Sequence, residues 1–384
     1  MPDATDTANG IEPFHVKISD SQIADLKYRL ENASLPDPET VDDWSQGVPL
    51  AVVDEFRLRW LEDYDWRDVE AELNAIPQGL TEIDGLSIHF LHLRSSRSDA
   101  KPLLITHGWP GSVAEYLDIL PGLTEPPEGE PAFHVVLPSV PGFGFAGKAG
   151  KPGWGIQRIA EVWVELMSRL GYERFCAQGG DWGAMITTTL ALRHPDRLAM
   201  IHTPVPWAIK PEGFDDASLT DTEKQWLGEL AQFRATGGGY AALMSTKPQN
   251  FGYGVVDSPV AQLAWVLEAH IGHGERDGEE KPLTPARRTL DNASLHWFTR
   301  SGASAARLYW ESLGKMDMTT PVTVPTGVTV YPKEIMKLPR AWVEARYLDL
   351  CHWETVGTGG HYAMLEVPDL YAAQIRAALA HAPD

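Results

Sequence analysis

Gly179-Gly180-Asp181-Trp182-Gly183 is the stretch on which the fold turns. An apolar run at 174–178 precedes it and a helix-like stretch at 183–193 follows, so these residues convert a strand into a helix. Glycines flanking a central side chain have the shape of a nucleophile elbow, Gly-x-nucleophile-x-Gly, a turn too tight for larger neighbours. Asp181 stands at the nucleophile position. A plainer reading is an aspartate that N-caps the next helix from a glycine turn. As a nucleophile, Asp181 restricts the chemistry. Serine attacking a saturated carbon would form an ether that water does not readily cleave. A carboxylate forms an alkyl ester, whose carbonyl water can attack. An Asp elbow therefore implies a saturated-carbon electrophile, such as an epoxide or alkyl halide, and an ester intermediate.

On either side of the elbow, short apolar runs alternate with helix-like stretches. Runs at 103–106, 133–137, 174–178 and 198–202 are strand candidates, separated by helical stretches near 113–120, 157–170 and 183–193. This rhythm predicts an α/β fold, a mostly parallel sheet with helices on both faces. Upstream, Thr81-Glu82-Ile83 and Leu86-Ser87-Ile88-His89-Phe90 flank Asp84-Gly85, which signals a hairpin. Residues 11–78 read as an N-terminal helical leader, and residues 1–10 as a flexible tail. In the leader, Ser19-x-x-Gln22 is a capping box, with Ile23, Leu26 and Leu30 on one face. Val52, Val53, Phe56 and Trp60 repeat at helical spacing, and Val69 and Leu73 follow a cap at Asp65.

The core then divides into 79–203 and 316–384, around an insertion at 204–315. The insertion is rich in helix formers and Trp, and carries Gly237-Gly238-Gly239 and an acidic loop at 275–281. It is too long for a loop. Its place predicts a helical lid over the carboxyl ends of the strands, where ligands bind in open α/β sheets. Strands resume at 326–331 and 347–351, and a helix near 367–380 closes the pattern.

The 384 residues are 43% apolar and 22% charged, as in globular proteins. Lys and Arg number 32 against 53 Asp and Glu, a net charge of −21. That balance argues against a broad nucleic-acid-binding or anionic-membrane surface. No apolar run is long enough to span a membrane, and the polar, acidic N-terminus lacks the pattern of a secretory signal. Two cysteines, Cys176 and Cys351, cannot build a disulfide framework, so a reduced, cytoplasmic setting is expected. The 14 Trp predict an aromatic core or an apolar pocket.

His107-Gly108-Trp109-Pro110-Gly111 follows the strand candidate at 103–106. Its turn can aim the Trp109 amide inward, and the Trp182 amide beside the nucleophile would be the second donor of an oxyanion hole. His107 itself reads as structural. Gly359-Gly360-His361-Tyr362 follows the last strand, where the order nucleophile, acid, base places the base, His361. The acid should follow the strand at 326–331, and Glu334 is the first carboxylate there. It would accept the His361 Nδ1–H and hold Nε2 toward water. Asp349 and Glu354 are rivals, although Asp349 falls within the expected last strand. His270 and His273, beside Glu268, weakly resemble a metal pair. A charged lid loop accounts for them better, and nothing resembles a complete zinc site.

Together these motifs resemble the microsomal-type epoxide hydrolases, an α/β-hydrolase family that includes the xenobiotic and juvenile-hormone enzymes. The resemblance runs over residues 11–381. It includes Phe14-His15-Val16 and Trp60-Leu61 in the leader, residues 107–112 and 179–184, and Ser245 to Pro248. It continues through Asp257-Ser258-Pro259-Val260, Val324-Pro325-Thr326-Gly327 and Gly359 to His361. It implies the α/β-hydrolase fold, with Asp181 as nucleophile, His361 as base and Glu334 as acid. It adds two lid tyrosines that polarise the epoxide oxygen, by position Tyr240 and Tyr309. Patterning alone gives those two no role beyond packing. A phenol is neutral at pH 7 and can donate a hydrogen bond, then a proton, to a developing alkoxide.

Mammalian members carry an N-terminal membrane anchor. The polar start of this chain leads instead to the expectation of a soluble, bacterial-like member whose leader wraps the core and helps hold the lid. The expected activity is conversion of an epoxide, bulky or aryl in view of the tryptophans, to a vicinal diol. Natural-product biosynthesis and detoxification are both compatible roles. No cofactor or metal is expected. The partner is a small-molecule epoxide, not nucleic acid or membrane, and a homodimer is compatible with the pattern. One rival is a haloalkane or haloacid dehalogenase with the same Asp nucleophile, its halide held by the Trp109 and Trp182 indoles. The other is a hydrolase-fold binding protein without catalysis.

Overall fold

Leu103, Leu104 and Ile105 are buried at successive positions of one strand, which demands cover on both faces of its sheet. The computed structural model describes residues 10–275 and 282–383 and supplies that cover. Nine strands form one sheet: β1 (Ile11–Pro13), β2 (Gln78–Ile83), β3 (Leu86–Leu93), β4 (Lys101–Thr106), β5 (Phe133–Pro138), β6 (Phe175–Gly179), β7 (Leu198–Thr203), β8 (Thr326–Val330) and β9 (Leu350–Thr355). Their order is β1-β2-β3-β5-β4-β6-β7-β8-β9. The first three strands run antiparallel to their neighbours, and the pairs from β5 through β9 are parallel.

Asp84 and Gly85 join β2 to β3 with φ of 53° and 73°, the two positive values that a tight hairpin between twisted strands requires. Alternation along the buried strands divides the core in two. Leu103, Ile105, Val135 and Leu137 face a cluster built with Trp60, Val69, Tyr371 and Ile375. Leu104 and Val136 face one built with Ile159, Trp163, Ile186 and Leu190. Helices Ile156–Arg169 and Trp182–Arg193 supply the second cluster, and helix Pro368–Leu379 with the leader supplies the first.

The leader contains helices Asp20–Glu31, Leu50–Glu62 and Trp66–Asn74. The Ser19–Gln22 capping box forms, and the Asp65 side chain accepts from the Arg67 amide. It is not helical throughout, however, because Ile11–Pro13 pairs with β2 as an edge strand. Three residues are too few for a period-two pattern to be read. The last strand also differs from expectation. Tyr347 ends helix Arg340–Arg346, and β9 begins at Leu350. Tyr347 is buried through its ring, with its hydroxyl 3.1 Å from Thr188 Oγ1, so its apolar character does not mark a strand. β9 is half exposed and has no apolar run to read.

Between β7 and β8 the described residues are largely helical. Helices Asp221–Gln232, Gly239–Thr246, Pro248–Asp257, Pro259–Leu267, Ala286–Thr299 and Gly302–Ser312 are joined in two places by π-helical turns, Phe233–Gly237 and Glu268–Gly272. The leader grips these helices. Trp60 Nε1 donates to Ser294 Oγ at 2.8 Å, the Tyr64 hydroxyl to Asp291 at 2.8 Å, and Arg29 to the Asp257 carbonyl at 2.8 Å. The expected tail at residues 1–9 and most of the acidic loop, 276–281, lie outside the described residues. Among those described, no helix is long and apolar enough to cross a membrane.

Candidate active site

Four loops leave the carboxyl ends of the parallel strands, and they carry every side chain expected to act on the ester. The first follows β6. Asp181 has φ 49° and ψ −127°, a conformation that side-chain-bearing residues rarely adopt. A Cβ on Gly179 would lie 2.3 Å from the Gly183 carbonyl, and one on Gly183 would lie 1.9 Å from the Thr106 oxygen. The turn thus excludes any side chain at either position. Asp181 makes no side-chain cap bond to the helix that follows it. The capping reading therefore fails, and the carboxylate is free for other work.

Its Oδ1 accepts the Trp109 amide at 2.8 Å, from the loop after β4. That approach needs Gly108, where a Cβ would sit 2.3 Å from Asp181 Oδ1. The Trp182 amide lies at the first helical position, directly after Asp181. Amides there have no intrahelical acceptor. His107 props the loop. Its Nδ1–H donates to the Gly108 carbonyl at 3.0 Å and its Nε2 accepts from Val140 at 3.0 Å. Burial pushes its imidazole down to about 4, consistent with a neutral structural ring.

His361, after β9, presents Nε2 to Asp181 Oδ2 at 3.3 Å. Its Nδ1–H is held by Glu334 at 2.8 and 2.9 Å. Glu334 follows β8, and the Lys333 amide donates to the Gly359 carbonyl at 3.1 Å, which lays the acid and base loops side by side. Among the described residues, the side-chain hydrogen bonds of His361 go to Glu334 and Asp181, not to Asp349 or Glu354. Burial pulls the His361 imidazolium down, but the Glu334 charge and the bonds to Asp181 and Glu334 outweigh it, and its pKa is raised.

The two tyrosines lie on helices between β7 and β8, Tyr240 on Gly239–Thr246 and Tyr309 on Gly302–Ser312. Tyr240 stacks on the Trp109 indole, with centroids 5.2 Å apart and an interplanar angle of 10°. Tyr309 meets Trp109 edge-on at 5.7 Å and Trp182 at 4.7 Å. The phenol rings are 6.0 Å apart. Burial above all, together with the Asp181 charge, pushes both hydroxyls above the ordinary phenol range, so both stay protonated.

Comparison with known proteins identifies the family. A family model described as the epoxide hydrolase N terminus matches residues 11–116, and one described as the alpha/beta hydrolase fold matches residues 101–248. A Stigmatella aurantiaca protein provisionally named as an epoxide hydrolase is 45% identical, covering 96% of this chain and 84% of its own. Epoxide hydrolase 1 of Sus scrofa is 34% identical over 95% of this chain and 88% of its own. The chain belongs to the epoxide hydrolase family. Among solved structures, that of Aspergillus niger epoxide hydrolase superposes with a TM-score of 0.88 at 32% identity, covering 97% of this chain and 96% of that one. Juvenile hormone epoxide hydrolase from Bombyx mori gives 0.89 at 28% identity, covering 96% and 94%. The fold is that of an α/β-hydrolase, and the protein is an enzyme that hydrolyses epoxides.

Tyr240 also lines a cavity of about 1210 Å³ in this epoxide hydrolase, with Trp44, Phe233, Trp265 and Glu268 among its walls. His270 and His273 do not lie in a charged loop. His270 is fully buried on a π-helical turn, 3.3 Å from the carboxyl of Glu115, and burial pushes it down to about 3. The His273 ring is 6.1 Å from Tyr240 and is pushed down to about 4 by burial. No set of residues able to hold a metal ion occurs among the described residues.

Sequence reasoning missed the acids that support the base loop. Glu366 accepts the Gly360 amide at 2.6 Å, and Glu275 accepts the Thr358 hydroxyl at 2.6 Å and the Gly359 amide. It also missed Glu115, which fills the space left by the absent Cβ of Gly111. No periodicity marks these glutamates as buried.

Proposed function

We propose that this epoxide hydrolase works through a covalent Asp181 ester. What carries the reading is one chain of contacts: Glu334 to His361 Nδ1, and His361 Nε2 to Asp181 Oδ2. The Trp109 amide occupies Oδ1, so Oδ2 is the attacking oxygen. Tyr240 and Tyr309 hold the epoxide oxygen; Oδ2 attacks a ring carbon, the C–O bond breaks, and a tyrosine proton passes to the new hydroxyl. Alkylation abolishes the Asp181 charge that helps keep His361 protonated, so His361 gives that proton up to solvent as the ester forms and regains one from solvent when the Asp181 carboxylate returns. His361 then takes a proton from water, which adds to the ester carbonyl. The Trp109 and Trp182 amides stabilise the oxyanion. Collapse returns the proton from His361 to the departing diol oxygen, and the second water proton restores the tyrosine.

The large cavity with tryptophan walls suits a bulky or aryl epoxide. Parallel assays with an aryl epoxide and a haloalkane test this reading against the dehalogenase alternative. Diol formation without halide release is expected. Halide release exceeding diol formation would contradict the tyrosine roles.

A further inference from the structure

Three successive carbonyls on the loop after β4 are each held by a buried side chain. His107 Nδ1–H donates to the Gly108 oxygen at 3.0 Å, the Tyr362 hydroxyl donates to the Trp109 oxygen at 3.2 Å, and His296 Nε2 lies 2.6 Å from the Pro110 oxygen. His107 belongs to that loop, and Tyr362 directly follows His361. His296 comes from elsewhere, on helix Ala286–Thr299 between β7 and β8. Its hydrogen bonds reach none of the reacting atoms.

These contacts fix the His296 tautomer. A carbonyl oxygen only accepts, so Nε2 must carry a proton. The ring is buried, and burial pushes it down to about 4. It is therefore neutral at pH 7, and Nδ1 is an acceptor. Ser301 Oγ, 2.9 Å away, donates to it. Phe143 packs edge-on against both imidazoles, with centroids 6.1 Å from His296 and 5.3 Å from His107. Ser301 is also the N-cap of helix Gly302–Ser312, which carries Tyr309. One hydrogen-bonded chain thus runs from the start of that helix, through His296, to the Pro110 carbonyl. The neighbouring residue, Trp109, donates its amide to Asp181 Oδ1.

The two half-reactions ask different things of that amide. As Oδ2 attacks the epoxide, negative charge drains from the Asp181 carboxylate, and a hydrogen bond to Oδ1 weakens. As water adds to the ester, with its proton passing to His361, charge gathers on Oδ1 and the same bond strengthens. Close placement of the Trp109 amide is therefore worth more in hydrolysis than in ring opening.

We propose that His296 is a positioning residue for ester hydrolysis, holding the Pro110 carbonyl so that the Trp109 amide stays on the developing oxyanion. The proposal rests on the ester mechanism. It is tested by rapid mixing with styrene oxide, with ester formation read from the mass of the quenched protein and hydrolysis from diol release. His296→Leu removes the donor and keeps an apolar side chain in its place. It should slow hydrolysis about tenfold or more and leave alkylation within about twofold, so that ester accumulates. His296→Gln can present an N–H near the Nε2 position and should recover most of the hydrolysis rate. Ser301→Ala keeps the ring but removes the donor that fixes its tautomer, and should slow hydrolysis by a smaller factor. Equal slowing of both steps, or no recovery with glutamine, overturns the proposal. If His296→Leu does not fold, Ser301→Ala decides, and wild-type hydrolysis in that variant overturns it. Ester that forms and decays at the wild-type rates in a folded His296→Leu protein overturns the proposal alone. If no ester forms in the wild-type or the His361→Gln protein, the ester mechanism falls and this proposal with it.

Discussion

Asp181 holds an unfavourable φ between two glycines whose missing side chains leave no room for substitution. Strain of this kind persists only where the surroundings enforce it. It lifts one carboxylate to where Trp109 holds Oδ1 and His361 reaches Oδ2. Under the proposed ester mechanism the two half-reactions depend on different residues, and His361→Gln should separate them. Ring opening needs Asp181 and the tyrosines, all of which remain. Ester hydrolysis needs a base, which glutamine cannot supply at neutral pH. The variant should give a burst of at most one equivalent, and intact-protein mass should rise by the mass of the epoxide. Full steady-state turnover without a trapped adduct would mean another residue is the base. The positions of Asp181 and His361 were legible because tight turns demand glycines and the strand order leaves few places for them. Tyr240 and Tyr309 were not, since a functional phenol on a helix has the same pattern as a packing one. Glu115 and Glu366 were hidden for a related reason. A glutamate near apolar residues reads as solvated until the missing Cβ of Gly111, or the amide of Gly360, shows what it occupies.

At the scale of elements, the N-terminal helices matter through the helices between β7 and β8 that they hold. Trp60 is 1% exposed, and its indole N–H reaches Ser294 on helix Ala286–Thr299. Trp60→Ala removes a large ring from the core and strips that hydroxyl of its partner. Substitutions of this type cost about 3–5 kcal/mol. Urea unfolding monitored by circular dichroism should show a loss of that size. A loss under about 1 kcal/mol would mean the leader is only loosely applied. The helices and parallel strands were readable because their periodicities extend over many residues. β1 is too short to have one, and β9 lies half in solvent, so its polar residues masked it. Tyr347 misled in the opposite direction, being buried by its ring contacts at a helix end.

Across the whole molecule, buried histidines link stability to pH. Burial pushes His89, His92, His202 and His270 from an ordinary 6.5 down to about 3. As pH falls below 6.5, the unfolded chain takes up protons at these sites and the folded chain does not, so stability declines through that window. Glu366, pushed up to about 7 by burial, and Glu115, pushed above its ordinary range by burial, act in the opposite sense. His361, whose pKa is raised, already contributes fully below 6.5. His107, His273 and His296, pushed down to about 4, add to the four rings, and Glu268 and Asp291, raised by burial, add to the two carboxyls; the seven rings outnumber the four carboxyls and leave a net loss. Calorimetry should show the thermal midpoint falling between pH 6.5 and about pH 5; a midpoint that rises would contradict the burial of these rings. The proposed ester mechanism is tested on the whole molecule by the water that its second step consumes. One turnover in ¹⁸O-water follows that water directly. If it attacks the Asp181 carbonyl, mass spectrometry should find the label in the peptide containing Asp181 and none in the first diol. Label in the first diol, with an unlabelled peptide, would mean that water opens the epoxide directly and that no Asp181 ester forms.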